Sequence, residues 1–174
     1  IDTIITDHHE PQGDLLPPAL SIINPKVKSC GYRFRELAGV GVAYKLCQAL
    51  RKAKLLDALD LVTLGTIADV VPLTGENRVI VKEGLSRLSE SKRPGLKALI
   101  AGAGIKNRKF SATTVSFILG PRLNASGRMS SAETSLSLLM SSDYKESEEL
   151  ARSLQQHNRS RQKIESKIME EALD

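Results

Sequence analysis

Three consecutive side chains near the amino end, Asp7-His8-His9, place a carboxylate and two imidazoles side by side. Imidazole nitrogen and carboxylate oxygen suit Mn²⁺, Mg²⁺ or Zn²⁺, and a neighbouring Asp can orient the ring of a ligating His. A polar turn with two exposed histidines is the competing reading, and the tripeptide alone leaves both open. The β-branched run Ile1 to Thr6 in front of it reads as a buried strand that stops at Asp7-His8-His9-Glu10-Pro11. An open α/β sheet places ligands beyond the carboxyl ends of its strands, which favours chemistry here.

Two further segments carry candidate groups. In Gly65-Thr66-Ile67-Ala68-Asp69-Val70-Val71-Pro72-Leu73 a single carboxylate, Asp69, stands among Ile, Val and Ala. Burying it requires a cation, a metal or hydrogen-bond donors, unless it merely caps the turn before Pro72. Gly120-Pro121-Arg122-Leu123-Asn124-Ala125-Ser126-Gly127-Arg128-Met129 carries two arginines and an amide on what reads as a pliable loop. The planar guanidinium fork suits phosphate oxygens, so a phosphate clamp competes with ordinary surface arginines. Other signals are weaker. Gly39-Val40-Gly41 lacks the third glycine of a dinucleotide loop because residue 44 is Tyr, so it reads as a tight helix entry. Lys106, Arg108 and Lys109 read as solvated charge and His157 as a polar seam residue, and no G-x-S-x-G hydrolase motif occurs.

The elements that must position these groups follow from periodicity and breakers. A second short strand is predicted over 19–24, between Pro17-Pro18 and Pro25. After a basic, irregular stretch over 26–36, helical spacing covers Val40 to about Lys54, with Val40, Ala43, Tyr44, Leu46, Cys47 and Leu50 apolar. The segment Leu56 to Ala68 is too apolar for a surface helix and reads as buried. Arg78 to Leu88 could bury Val79, Val81, Leu85 and Leu88 after a turn at 74–77. Pro94 opens a helix through Ile100, Ser111 opens another, Gly120-Pro121 closes it, and Ala132 to Met140 forms a short apolar helix. Residues 144–174 contain no Gly or Pro and favour one long helix. Its candidate stripe is Leu150, Leu154, His157, Arg161, Ile164, Ile168 and Ala172, polar in the middle, as suits a connector leaving the domain.

Composition bounds the partners. The 174 residues are 41% hydrophobic, enough for a sizeable core, and the net charge is +5. That charge belongs to the body. Residues 143–174 hold 6 Lys+Arg against 8 Asp+Glu, or −2, leaving 19 against 12, or +7, for residues 1–142. An anionic partner is therefore permitted. No apolar run approaches the roughly 20 residues of a membrane span, so a soluble, cytoplasmic protein is expected. Cys30 and Cys47 stand alone, which indicates reduced thiols rather than a zinc site or a disulfide framework. With three Tyr, three Phe and no Trp, contact with nucleic acid would rest on phosphates more than on base stacking. No internal repeat is evident, and the chain begins at Ile1 rather than Met, so a fragment is expected.

Taken in order, TDHHE, GTIADVVPL, GPRLNASGRM and a long charged helix resemble the DHH phosphoesterase superfamily, and within it the RecJ family of single-strand-specific exonucleases. The resemblance runs the length of the chain. It implies an α/β fold: a partial DHH-type domain with few parallel strands at the amino end, mostly helical thereafter, ending in a long connector helix. Residues 1–142 would be the carboxy-terminal part of the DHH catalytic domain and 143–174 the interdomain connector. His8 and Asp69 would bind Mn²⁺ or Mg²⁺ in a two-metal site, His9 would meet the scissile phosphate, and Asp7 would lie in or beside the metal cage. Arg122, Asn124 and Arg128 would contact phosphate. The implied activity removes 5′ mononucleotides from single-stranded DNA in repair and recombination. Family motifs expected upstream, an Asp-x-Asp and a further Asp, and a second domain expected downstream are missing, so this chain alone is expected to be inactive. The alternatives are a superfamily hydrolase of small phosphate compounds, such as pyrophosphate or short oligonucleotides, and a non-catalytic DNA-binding relative.

Overall fold

In the computed structural model the described residues are 1–13, 15–105, 110–129 and 131–173, and they divide into two compact units, Ile1–Ser89 and Glu90–Asp174. The basic residues Lys106, Arg108 and Lys109 lie outside the described residues.

The first unit opens with two short parallel strands, β1 (Ile4–Thr6) and β2 (Ser21–Ile23), paired Ile4 to Ser21, Ile5 to Ile22 and Thr6 to Ile23. The ladder extends one bond further, from the Asp7 N–H to the Ile23 carbonyl at 3.1 Å. Both strands are shorter than the β-branched runs that announce them, and β1 is not buried: Ile4 is 58% exposed, and Leu20, beside β2, is 70% exposed. A β-branched run is buried only where a second layer covers its face, and a two-stranded sheet supplies little cover of its own.

Three helices complete this unit: α1 (Gly39–Arg51), α2 (Leu59–Ala68), entered through a 3₁₀ turn at Leu56–Ala58, and α3 (Gly75–Ser89). Leu37, Val42, Tyr44, Leu59, Val62 and Ile80 form its core, flanked by Ile23, Phe34 and Val40. As its composition demands, α2 is buried nearly all round. On α3 Val81 and Leu88 are buried as expected, together with Ile80 and Gly84, whereas Val79 is 62% exposed and Leu85 only half-buried. The cause is Gly84. A Cβ there would stand 1.7 Å from Thr63 Oγ1 and 2.7 Å from the Leu59 carbonyl, so the missing side chain brings α3 against α2 at that point. The Thr63 hydroxyl then donates to the Ile80 carbonyl at 3.1 Å, locking the crossing.

The second unit contains α4 (Pro94–Gly102), α5 (Ala112–Thr114), a π-helical turn (Val115–Leu119), α6 (Gly120–Met129), α7 (Glu133–Met140) and α8 (Tyr144–Leu173). Pro94 sits in the first turn of α4, and Ser111 caps α5 by accepting from the Thr114 N–H, both as predicted. The expected break at Gly120-Pro121 does not occur. Pro121 lies in the first turn of α6, where its missing N–H costs little, and the π turn before it absorbs the disruption. The segment 120–129 is therefore helical rather than a pliable loop.

Helix α8 spans the predicted length, but its buried residues are Ser147, Ala151, Leu154 and Asn158. They pack its first half against α4, α6 and α7, while Ile164, Ile168 and Leu173 are exposed. No helix among the described residues is long and apolar enough to cross a membrane.

Candidate functional site

The Asp7-His8-His9 turn follows β1 directly, so its groups sit at the carboxyl end of a parallel strand. Asp7 Oδ1 accepts from the main-chain N–H groups of His8 at 2.7 Å and His9 at 3.3 Å, and from His9 Nδ1 at 2.7 Å. The hydrogen bond from the His9 ring holds the Asp7 carboxyl below its usual range; partial burial opposes this, and the two main-chain N–H groups assist it. A carboxylate only accepts, so His9 donates from Nδ1, and its ring, 79% exposed, leaves Nε2 open to a further group. The His8 ring lies beside that of His9, with centroids 4.3 Å apart, and is itself only 16% exposed.

Asp69 reaches this turn from the far end of α2. Its Oδ2 stands 2.9 Å from His8 Nε2. The carboxylate is aimed by the helix terminus, where the Asp69 N–H closes on the Gly65 carbonyl at 3.0 Å and Val70 turns left-handed at φ 61°. A β-branched residue in that region is strained, and this one, 80% exposed, gains no compensating burial. The chain thus holds a costly turn immediately after the carboxylate. Asp7, His8 and His9 offer three ligand atoms mutually within 4.8 Å, and Asp69 adds an oxygen to His8. Mixed imidazole and carboxylate donors suit Mn²⁺, and a 2.9 Å donor separation is close to the ~3 Å between adjacent ligands of an octahedral ion with bonds of about 2.1 Å. The donor set therefore fits a divalent ion.

Two residues outside the motifs brace the turn. Asn24, buried at the end of β2, donates from Nδ2 to the His9 carbonyl at 2.9 Å and accepts at Oδ1 from the Lys26 N–H at 2.9 Å. Gly39 opens α1 against the His8 ring; a Cβ there would lie 3.3 Å from His8 Cδ2. Asn24 is legible in principle, as a polar side chain ending a strand parallel to the one before His8. Gly39 reads in the sequence only as a helix entry, because its neighbour in space is 31 residues away in the chain.

The other sequence candidates lie on α6, in the second unit. Arg122 donates from Nε to Gln155 Oε1 at 2.6 Å and from Nη1 to the Ile118 carbonyl at 2.5 Å. Burial, and then the like charge of Arg159, lower its pKa, yet a guanidinium stays charged at any physiological pH. Its fork is thus held by α8 and by the π turn rather than by a mobile loop. Gln155 gives no local signal, since its partner is 33 residues distant. Asn124 is exposed on α6. The side chain of Arg128 lies outside the described residues. Ser126 of the same motif is fully buried and shares a 2.7 Å hydrogen bond with Ser135, tying α6 to α7.

Known proteins share this chain's sequence and its geometry. Residues 1–66 match the DHH family, N-terminal domain. The single-stranded-DNA-specific exonuclease RecJ of Bacillus subtilis is 50% identical over 174 residues, covering 100% of this chain and 22% of that protein. Its Escherichia coli namesake is 42% identical over 189 residues, 99% of this chain and 33% of that protein. A crystal structure of exonuclease RecJ bound to manganese superposes with a TM-score of 0.87 at 37% identity, covering 98% of this chain and 43% of that one. A RecJ structure in complex with Mn²⁺ from Thermus thermophilus gives 0.86 at 35% identity, covering 98% and 26%. The chain spans roughly a fifth to a third of the curated relatives it matches.

Proposed function

We propose that this chain, which belongs to the DHH family and matches RecJ proteins along its whole length, supplies part of the metal cage and a phosphate-holding arm of a single-stranded-DNA exonuclease acting from 5′ to 3′. The observation that carries the reading is the 2.9 Å approach of His8 Nε2 to Asp69 Oδ2, which joins two motifs 61 residues apart at one point. His8 and Asp69 are the metal ligands. Asp7 joins or borders the cage and holds the His9 ring through Nδ1, and His9 faces the scissile phosphate. A divalent ion, Mn²⁺ or Mg²⁺, held by these residues would supply charge neutralisation at the phosphoryl oxygens and a lowered pKa for the attacking water. Arg122, held by Gln155, Asn124 and Arg128 are the phosphate-contacting groups on α6.

Residues 1–142 form the carboxy-terminal part of the catalytic domain and α8 is its connector, a role supported by the exposed apolar residues on its second half. A DNA substrate in repair and recombination implies a cytoplasmic protein. On this reading the chain alone is inactive, and further parts of the same protein complete the cage. The test is digestion of 5′-labelled single-stranded DNA with Mn²⁺ by the full-length protein, its His8→Ala variant and the chain alone. Nucleotide release by the full-length wild type only is expected. Release that His8→Ala leaves unchanged would overturn the assignment, and hydrolysis of pyrophosphate in place of DNA would move the protein to another branch of the superfamily.

A further inference from the structure

The turn that follows α2 and the stretch that leads into α1 are joined by one side chain, Asn77, to which nothing above gives a role. It lies in the first turn of α3 and is fully buried. Its Nδ2 donates to the Pro72 carbonyl at 3.0 Å and to the Glu36 carbonyl at 2.5 Å. Carbonyls only accept, so the amide must present its N–H groups to them, and its Oδ1 is left buried with no partner among the described residues. An apolar side chain would occupy this place without an orphaned acceptor, so packing alone does not call for an amide here. The two donated bonds do.

Each bond ends on a segment that sets one of the candidate metal ligands. Pro72 lies three residues beyond Asp69, and between them Val70 is held left-handed at φ 61° with its side chain exposed. A strained turn that buries nothing of its own persists only where its surroundings hold it, and the bond to the Pro72 carbonyl does so at its far end. Glu36 lies three residues before Gly39, which opens α1 against the His8 ring, and Leu37 and Ala38 between them are buried. The same stretch is pressed onto α3 at Gly75, where a Cβ would stand 2.5 Å from Phe34 Cε2. One amide thus ties the backing of His8 to the turn that carries Asp69.

We propose that Asn77 is a positioning residue for the divalent ion: by joining the Pro72 and Glu36 carbonyls it holds the Asp69 carboxylate at its 2.9 Å approach to His8 Nε2. It touches neither the ion nor the substrate. The inference rests on the reading of His8 and Asp69 as ligands of one ion. Its test is the Mn²⁺ affinity of the full-length protein, read from the electron paramagnetic resonance signal of the free ion, beside the urea midpoint. Wild type is compared with Asn77→Ala, Asn77→Ser and Leu88→Ala. Leu88 is fully buried on α3 about three turns from Asn77, so its truncation lowers stability without touching either carbonyl. Asn77→Ser keeps a hydroxyl donor and guards against a failure of Asn77→Ala to fold.

Under conditions where the urea curves show each protein folded, Asn77→Ala should weaken Mn²⁺ binding about 10–100-fold and Asn77→Ser by a smaller factor, while Leu88→Ala binds as wild type. Wild-type affinity in Asn77→Ala, or in Asn77→Ser where the alanine variant does not fold, would overturn the positioning role. So would an equal loss in Leu88→Ala, which would make the effect one of stability alone. Either result leaves the metal reading standing, because wild type still binds the ion. Absence of Mn²⁺ binding by wild type would overturn that reading, and the role of Asn77 with it.

Discussion

At the residue scale, the site depends on groups that cannot satisfy themselves alone. The Asp69 side chain is 35% exposed, and its carboxylate is paired with His8. Asp7 orders both histidines through one oxygen. Asn24 sits behind them, 5% exposed, with its amide spent on the His9 carbonyl and the Lys26 N–H. Asn24→Ala should therefore cost about 1–3 kcal/mol, because two main-chain groups lose their partner. It should also weaken Mn²⁺ binding by about 10–100-fold, as loss of a group supporting metal ligands typically does. Urea denaturation and metal titration check the two effects, and an unchanged metal affinity would remove Asn24 from the support of the turn. Arg122 makes a parallel case. Gln155→Ala should raise KM for single-stranded DNA in the full-length protein with little change in kcat, whereas Gln155→Glu, which keeps the acceptor, should restore it. A fall in stability without the KM effect would show that Gln155 is structural only.

At the element scale, positions that look incidental in the chain decide how the motifs are presented. Gly84 sets the crossing of α2 on α3, and hence where Asp69 ends up; Gly84→Ala should destabilise the chain by about 1–3 kcal/mol or more, since the clash is with backbone as well as a side chain. A melting temperature equal to wild type would contradict that packing.

The basic loop is pinned to α1 and α3 by a second device. The Tyr32 hydroxyl donates to Glu76 at 2.8 Å, and Lys45 Nζ stands 2.5 Å from the same carboxylate. Burial and then Glu76 push the Tyr32 phenol up; burial opposes the Lys45 charge, but Glu76 and Tyr32 outweigh it and raise Lys45 as well. Both groups hold their protons more tightly folded than unfolded. Their contribution is complete below the unfolded values of about 10 and is lost as pH rises through the folded ones. The urea midpoint should fall on that alkaline limb, and Glu76→Gln should flatten it. An identical limb in the variant would exclude the cluster as its cause.

At the scale of the whole molecule, what is legible in the chain is what local physics controls. Helix starts at Pro94 and Ser111, the buried character of 59–68 and the span 144–173 follow from proline geometry, capping and composition, and the structure has them. The junction of His8 with Asp69 is legible only through the resemblance, since nothing local brings residues 61 apart in the chain together. What escapes is set by non-local packing: the exposure of Val79 and burial of Ile80 on α3, the exposed face of β1, and the buried stripe of α8, which follows Ser147, Ala151, Leu154 and Asn158. The continuous helix through Gly120-Pro121 escapes because a π turn accommodates a proline that local rules read as a break.

Everything proposed for the site turns on His8 and Asp69 holding one divalent ion for the phosphodiester chemistry. The most direct test is the electron paramagnetic resonance signal of free Mn²⁺ titrated with the full-length protein, its His8→Ala and its Asp69→Asn variants. Wild type should suppress the free-ion signal, and each variant should restore it over the same concentration range, with loss of nuclease activity. Undiminished Mn²⁺ binding by both variants would contradict the shared-ion assignment.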